Sequence, residues 1–153
     1  MVPVWFFHAY LTGFFMSLDF SSLQQSVVAL QRSLDESLPL LPSLSPVMQD
    51  TVKSGVIQHF EVAYEQCWKA MKRWLENNIN PESVDGVTRR ELFRLAAEQQ
   101  LIKDVDQWML FHKGRNETSH TYDATTAKDV FATAAAFAPV AEVFCATIAQ
   151  RND

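Results

Sequence analysis

From Arg115 to Asp123 the chain reads Arg-Asn-Glu-Thr-Ser-His-Thr-Tyr-Asp, the one polar concentration that building helices does not require. Arg115 supplies a permanent planar cation suited to phosphate, and His120, five residues on, can exchange a proton near neutral pH. Charge stabilisation and proton transfer are what cleaving a phosphodiester needs. Taken alone, the spacing favours a plainer role, in which Arg115, Asn116 and Asp123 cap and tie two helix ends.

What the chain lacks removes other chemistries. It has no Walker loop, no Gly-x-Gly-x-x-Gly, no His-Glu-x-x-His, no Cys-x-x-Cys and no Gly-x-Ser-x-Gly. Nucleotide hydrolysis, zinc chemistry and hydrolase-elbow chemistry therefore have no support. His59, His112 and His120 have no carboxylate or second histidine at ligand spacing on the same helical face, so they read as structural or solvated. Neither a metal nor a cofactor is expected. Thirteen Lys and Arg against eighteen Asp and Glu give a net charge of −5, which offers no whole-surface attraction to nucleic acid or anionic membrane. A contact with RNA would need a local patch drawn from Lys113, Arg115, Arg89, Arg90 and Arg94. Of these, Arg89 and Arg90 read as decoration of a first helical turn rather than a grip on RNA.

The elements that must hold these residues are helices. A chain of 153 residues suits one compact domain that buries roughly 70% of its unfolded surface. With 48% hydrophobic and 20% charged residues it has ordinary globular usage, and four glycines and six prolines are too few to punctuate a many-stranded fold. Leu23, Val27, Leu30, Leu34 and Leu38 form one stripe of a first helix from about Ser21, with a capping box of Ser21 or Ser22 and Gln24 or Gln25. Three prolines between Pro39 and Pro46 then make a loop, and Ser45 caps a long second helix to about Asn78. Its apolar face runs through Phe60, Tyr64, Cys67 and Met71. Glu61 and Glu65 belong with Lys53, Lys69, Lys72, Arg73 and Glu76 to a solvated face. Trp68 and Trp74 read as core or dimer-face residues. Thr88 and Glu91 form a capping box for a third helix, a fourth begins near Asp104, and a fifth carries Val130, Ala134, Phe137, Ala141, Phe144 and Ile148 on one side. The expected architecture is an all-α, up-and-down bundle of about five helices, four of them long enough to form the core.

Residues 1–16 are strongly apolar, yet shorter than the about 20 residues a membrane span needs, and they lack the basic start and cleavage site of a signal peptide. Met16 begins a segment that reads as the start of a helical protein. Residues 1–16 are thus expected to be an apolar N-terminal extension whose first fifteen residues lie upstream of a true start at Met16, with an aromatic arm as the alternative, and residues 17–153 a single domain. Cys67 and Cys145 lie in apolar helical patterns as free thiols, which points to a reducing cytoplasm.

Arg115-x4-His120-x-Tyr122 resembles the Arg-x4-His-x-Tyr signature of HEPN domains. The context agrees in Leu18-Asp-Phe-Ser-Ser-Leu, in Val56-Ile-Gln-His-Phe-Glu followed by Tyr64-Glu and Trp68-Lys, and in Met71-Lys-Arg-Trp-Leu-Glu76. Over about Leu18 to Gln150 the chain is similar to the nucleotidyltransferase substrate-binding branch and to the HepT toxins of MNT/HEPN modules. The resemblance implies a homodimer whose two Arg/His motifs face each other in a metal-independent ribonuclease cleft. Arg115 would hold the scissile phosphate, His120 would transfer protons, and Asn116 would be the polar residue that supports the arginine. It also implies a small MNT-type nucleotidyltransferase as partner and antitoxin, which places AMP on Tyr122 and so blocks RNA by charge and bulk. The family's other reading is a non-catalytic subunit that helps the nucleotidyltransferase hold its substrate. A third possibility is a purely structural interaction domain.

Overall fold

The computed structural model describes residues 17–152, an all-α bundle in which no strand occurs among the described residues. Five helices follow one another: α1 (Ser21–Ser37), α2 (Pro46–Asn78), α3 (Arg89–Glu98), α4 (Val105–Glu117) and α5 (Ala124–Gln150). The expected extension at residues 1–16 and the start at Met16 lie outside the described residues, apart from which the helix order follows the sequence reading.

Local chemistry sets the helix starts. Ser45 accepts the Met48 amide at 3.3 Å while Pro46, with no N–H to satisfy, takes the first position of α2. At α3 the capping box is complete: Thr88 Oγ1 accepts the Glu91 amide at 3.2 Å and Glu91 Oε2 accepts the Thr88 amide at 3.1 Å. Such a cap contributes about 1 kcal/mol. α1 departs from expectation, since neither Ser21 nor Ser22 caps it. Asp19 stands two residues before the first turn, where its carboxylate reaches the Ser21 amide at 2.9 Å, and its hydrogen bonds to Ser21 hold its pKa below the usual carboxylate range. α3 ends in a Schellman turn, with Leu101 N–H on the Ala96 carbonyl and Gln100 N–H on that of Ala97. Gln100 takes the left-handed conformation there, at φ 59°.

α2 runs through the whole bundle, and α1, α4 and α5 pack along it around an aromatic centre. Trp108 of α4 sits 5.6–5.7 Å from the rings of Phe93, Phe111, Phe137 and Phe144. Phe137 of α5 also meets Phe60 at 5.3 Å and Tyr64 at 6.2 Å. By length and composition α5 is apolar enough to cross a membrane, but here Val130, Ala134, Phe137, Ala138, Ala141, Phe144 and Ile148 are buried within the bundle. Cys67 is buried and Cys145 half-buried, both free, and burial raises both thiols, Cys145 to about 11. The two ends of the described chain meet: Asn152 accepts the Leu18 amide at 2.9 Å and donates to its carbonyl at 2.7 Å. Arg151 lies over Trp74, whose Nε1–H donates to the Arg151 carbonyl at 3.1 Å.

Candidate functional site

Arg115 and Asn116 occupy the last turn of α4, where a cation is also favoured by the helix dipole. A single 3-10 turn over Thr118–His120 follows, then Tyr122, then Asp123. Asp123 is the cap of α5: its Oδ2 accepts both the Thr126 amide and the Thr126 hydroxyl at 2.9 Å, which lowers its pKa. The plain structural reading therefore holds for Asp123.

Arg115 faces α2. Its Nη1 donates to Thr118 Oγ1 at 3.2 Å, and that hydroxyl donates in turn to the Arg115 carbonyl at 2.8 Å. Glu61 Oε2 lies 3.9 Å from Nη2 and Glu65 Oε1 lies 3.5 Å from Nε. Both ion pairs are longer than the 2.7–2.9 Å of a tight charge-assisted bond. At 3.5 Å the Nε–H also lacks the alignment of a hydrogen bond and is buried without a partner. The guanidinium is oriented by two carboxylates, yet its donor capacity is not consumed. Glu61 and Glu65 were expected on a solvated face; they are half-buried instead, because Arg115 closes over that flank of α2.

A second contact joins α2 to α4 and continues along α4. The Tyr64 hydroxyl and His112 Nδ1 lie 2.7 Å apart, and His112 Nε2 lies 3.4 Å from the Asn116 side-chain amide. Burial pushes the Tyr64 pKa well up, so the phenol stays protonated, and it shares with Nδ1 a hydrogen bond whose direction follows the imidazole tautomer. Burial first, and then the charges of Arg89 and Arg115, lower the His112 pKa, so its ring is neutral at pH 7. Tyr64, Glu65, His112 and Asn116 thus line one seam between α2 and α4.

His120 and Tyr122 lie on the outside of the α4–α5 connection. Both are exposed, their rings meet edge-on at 6.0 Å, and Tyr122 is 87% accessible. Tyr122 also borders a cleft of about 230 Å³ with Lys53, Ser54 and Lys128 among its walls. Within one chain Arg115 turns inward against α2 and His120 turns outward, and no hydrogen bond joins them. Among the described residues, no group of three or more His, Cys, Asp and Glu is placed to hold a metal ion.

Sequence reasoning missed Tyr64, His112, Glu61 and Glu65. The available signal was the spacing of Glu61, Tyr64, Glu65 and Trp68, which is i, i+3, i+4, i+7 and therefore one helix face. Gly114 is the other silent residue, since α4 and α5 approach closely there. A Cβ on Gly114 would stand 2.7 Å from Thr133 Cγ2. Gly114→Ala is expected to cost about 1–3 kcal/mol through overpacking. Much of that should return when Thr133→Ala is added, and an unchanged unfolding midpoint in the single variant would contradict the contact.

An all-α bundle with a polar Arg/His/Tyr connection between its last two long helices defines a class, and comparison with known proteins agrees. Residues 18–150 match the family described as nucleotidyltransferase substrate binding protein like, and the chain belongs to that family. It is 36% identical over 134 residues to a protein of Haemophilus influenzae named probable ribonuclease HepT, covering 87% of this chain and 88% of that protein. Among solved structures it is similar to HI0074 of Haemophilus influenzae, described as having the fold of a substrate binding domain of a nucleotidyltransferase. The TM-score is 0.81 at 28% identity, over 86% of this chain and all of that one. A Thermus thermophilus protein shares the fold, with a TM-score of 0.63 at 24% identity over 82% of this chain and 98% of that one.

Proposed function

We propose that this chain is a HepT-like toxin, a cytoplasmic endoribonuclease that needs no metal and works as a homodimer with Arg115 and His120 at the shared cleft. The observation that carries the reading is Arg115 itself, a partly exposed cation oriented only by long pairs to Glu61 and Glu65, five residues before an exposed histidine. The relative named probable ribonuclease HepT supports the same chemistry. Without a metal-activated water the nucleophile is the ribose 2′-hydroxyl. It forms a bond to phosphorus, the bond from phosphorus to the 5′-oxygen breaks, and one proton leaves the 2′-oxygen while another reaches the 5′-oxygen. One His120 cannot serve both oxygens at once. A two-fold axis supplies a second, and it brings together groups that turn apart within one chain. Light scattering should report about twice the 17.4 kDa chain. A monomer at every concentration would contradict the shared cleft.

Tyr122 is the acceptor of AMP from a partner nucleotidyltransferase. Its phenol is open to solvent, and Lys53 and Lys128 line the cleft it borders together with one carboxylate, Asp50, so a tyrosine-linked phosphate would meet a net positive wall. Incubation with the partner, ATP and Mg²⁺ should add adenylate to the intact mass and stop RNA cleavage, and Tyr122→Phe should show neither change. Persistent labelling of that variant would remove the assignment. The second reading, a non-catalytic subunit that helps a nucleotidyltransferase hold its substrate, is favoured by the family description and by the two carboxylates already paired with Arg115.

A further inference from the structure

Arg89 and Arg90 are neighbours in sequence with different surroundings. Arg90 is exposed and pairs with Asp106 at 3.0 Å, as a first-turn residue in solvent does. Arg89 is half-buried, and its guanidinium lies over Trp68 with its carbon 3.5 Å from the ring centroid. Trp68 Nε1–H donates to Glu65 Oε2 at 3.0 Å, while the other oxygen of that carboxylate stands 3.5 Å from Arg115 Nε. Arg89, Trp68, Glu65 and Arg115 are therefore one contiguous set. The Nε–H of Arg89, like that of Arg115, is buried with no partner. Both arginines also bear on the same imidazole, each lowering the His112 pKa.

Two guanidiniums joined through Trp68 and Glu65, each only partly buried and neither held in a tight ion pair, are what a polyanion with regularly spaced phosphates would satisfy. A planar fork held on an aromatic face loses little freedom when it binds a phosphate. We propose that Arg89 is a second phosphate-binding residue of the Arg115 cleft and takes a phosphate of single-stranded RNA next to the scissile one. This rests on the ribonuclease reading and extends it. Trp68 is then the platform that orients Arg89 rather than a core side chain, and Arg90 has no part in binding.

The test is binding of a single-stranded oligonucleotide carrying 2′-O-methyl at every position, which cannot be cleaved, to the full-length protein by fluorescence anisotropy across a salt series. For a single strand, every cation withdrawn from a phosphate should make the slope of log affinity against log salt shallower by about 0.7. Arg89→Gln should weaken binding about tenfold or more and flatten the slope by that amount, whereas Arg90→Gln should change neither. Arg89→Lys, which keeps the charge but loses the planar fork, should restore the slope and leave the affinity several-fold below wild type, so it decides the question if Arg89→Gln fails to give a cooperative melt. If Arg89→Gln and Arg89→Lys bind with wild-type affinity and slope while Arg115→Gln loses both, Arg89 is only a packed first-turn residue and the inference is overturned. If Arg115→Gln is unaffected as well, the ribonuclease reading falls with it.

Discussion

Arg115→Ala and His120→Ala should each nearly abolish cleavage of single-stranded RNA while leaving the protein folded. Removing a preorganised donor to a developing charge typically costs about 10²–10³-fold in rate, and removing a general acid or base about 10²–10⁴-fold. The stability cost is far smaller. His120 is exposed, and exposed substitutions usually stay within about 0.5 kcal/mol. Arg115 is about one-third exposed, and its ion pairs at 3.5 and 3.9 Å are long and screened by solvent, which limits them to about 1 kcal/mol or less. Because Arg115→Ala strips Glu61 and Glu65 of their counter-ion, Arg115→Gln is the gentler comparison and should be equally inactive. Initial rates on a labelled oligoribonucleotide, beside a thermal melt of each variant, check both halves. Parallel loss of activity and of the melt would assign these residues to holding the helices together.

Phe137→Ala should give the largest change in stability. The side chain is fully buried and meets the rings of Phe60, Tyr64, Trp108 and Phe111 with centroids at 5.0–6.2 Å. Truncating such a phenylalanine costs about 3–5 kcal/mol, because the cavity left behind closes only in part. Set against the about 5–15 kcal/mol that holds a typical domain together, this is a large share of the total. Tyr64 is one of the rings that would lose support, and its hydroxyl holds His112. The seam between α2 and α4 should therefore lose support together with the core. Denaturant unfolding should show the midpoint falling at nearly constant slope, and a loss below about 1.5 kcal/mol would mean that Phe137 is not the centre of the core.

The fold was legible because its signals are local. Thr88 and Glu91 sit three residues apart and complete both bonds of their box, and Ser45 with Pro46 begins α2 where expected. The apolar stripes of α1, α2 and α5 carry most of the buried residues the period implies, but Leu38, counted in the first stripe, is exposed because α1 ends at Ser37 and the chain turns away there. The site was legible only in its linear part. Arg115, Asn116, His120 and Tyr122 are close in sequence and could be read together, whereas Glu61 and Glu65 looked solvated. A helical period gives the angle at which a side chain leaves its helix and not which neighbour covers it. The contact that covers these two comes from α4, and its anchor, Tyr64 to His112, spans 48 residues of sequence. The surroundings of Arg89 were hidden for the same reason, since nothing in its own turn separates it from Arg90. Only the position of Trp68 beneath it does.

The central claim, that Arg115 and His120 make a metal-independent ribonuclease, is tested most directly by incubating the purified protein with a single-stranded oligoribonucleotide in excess EDTA. The account predicts strand cleavage at a rate unchanged by the chelator and absent in an Arg115→Gln, His120→Ala double variant that melts like the wild type. An intact oligonucleotide, from a folded protein that instead alters a nucleotidyltransferase's affinity for its nucleotide or acceptor, would contradict it and establish the substrate-binding role.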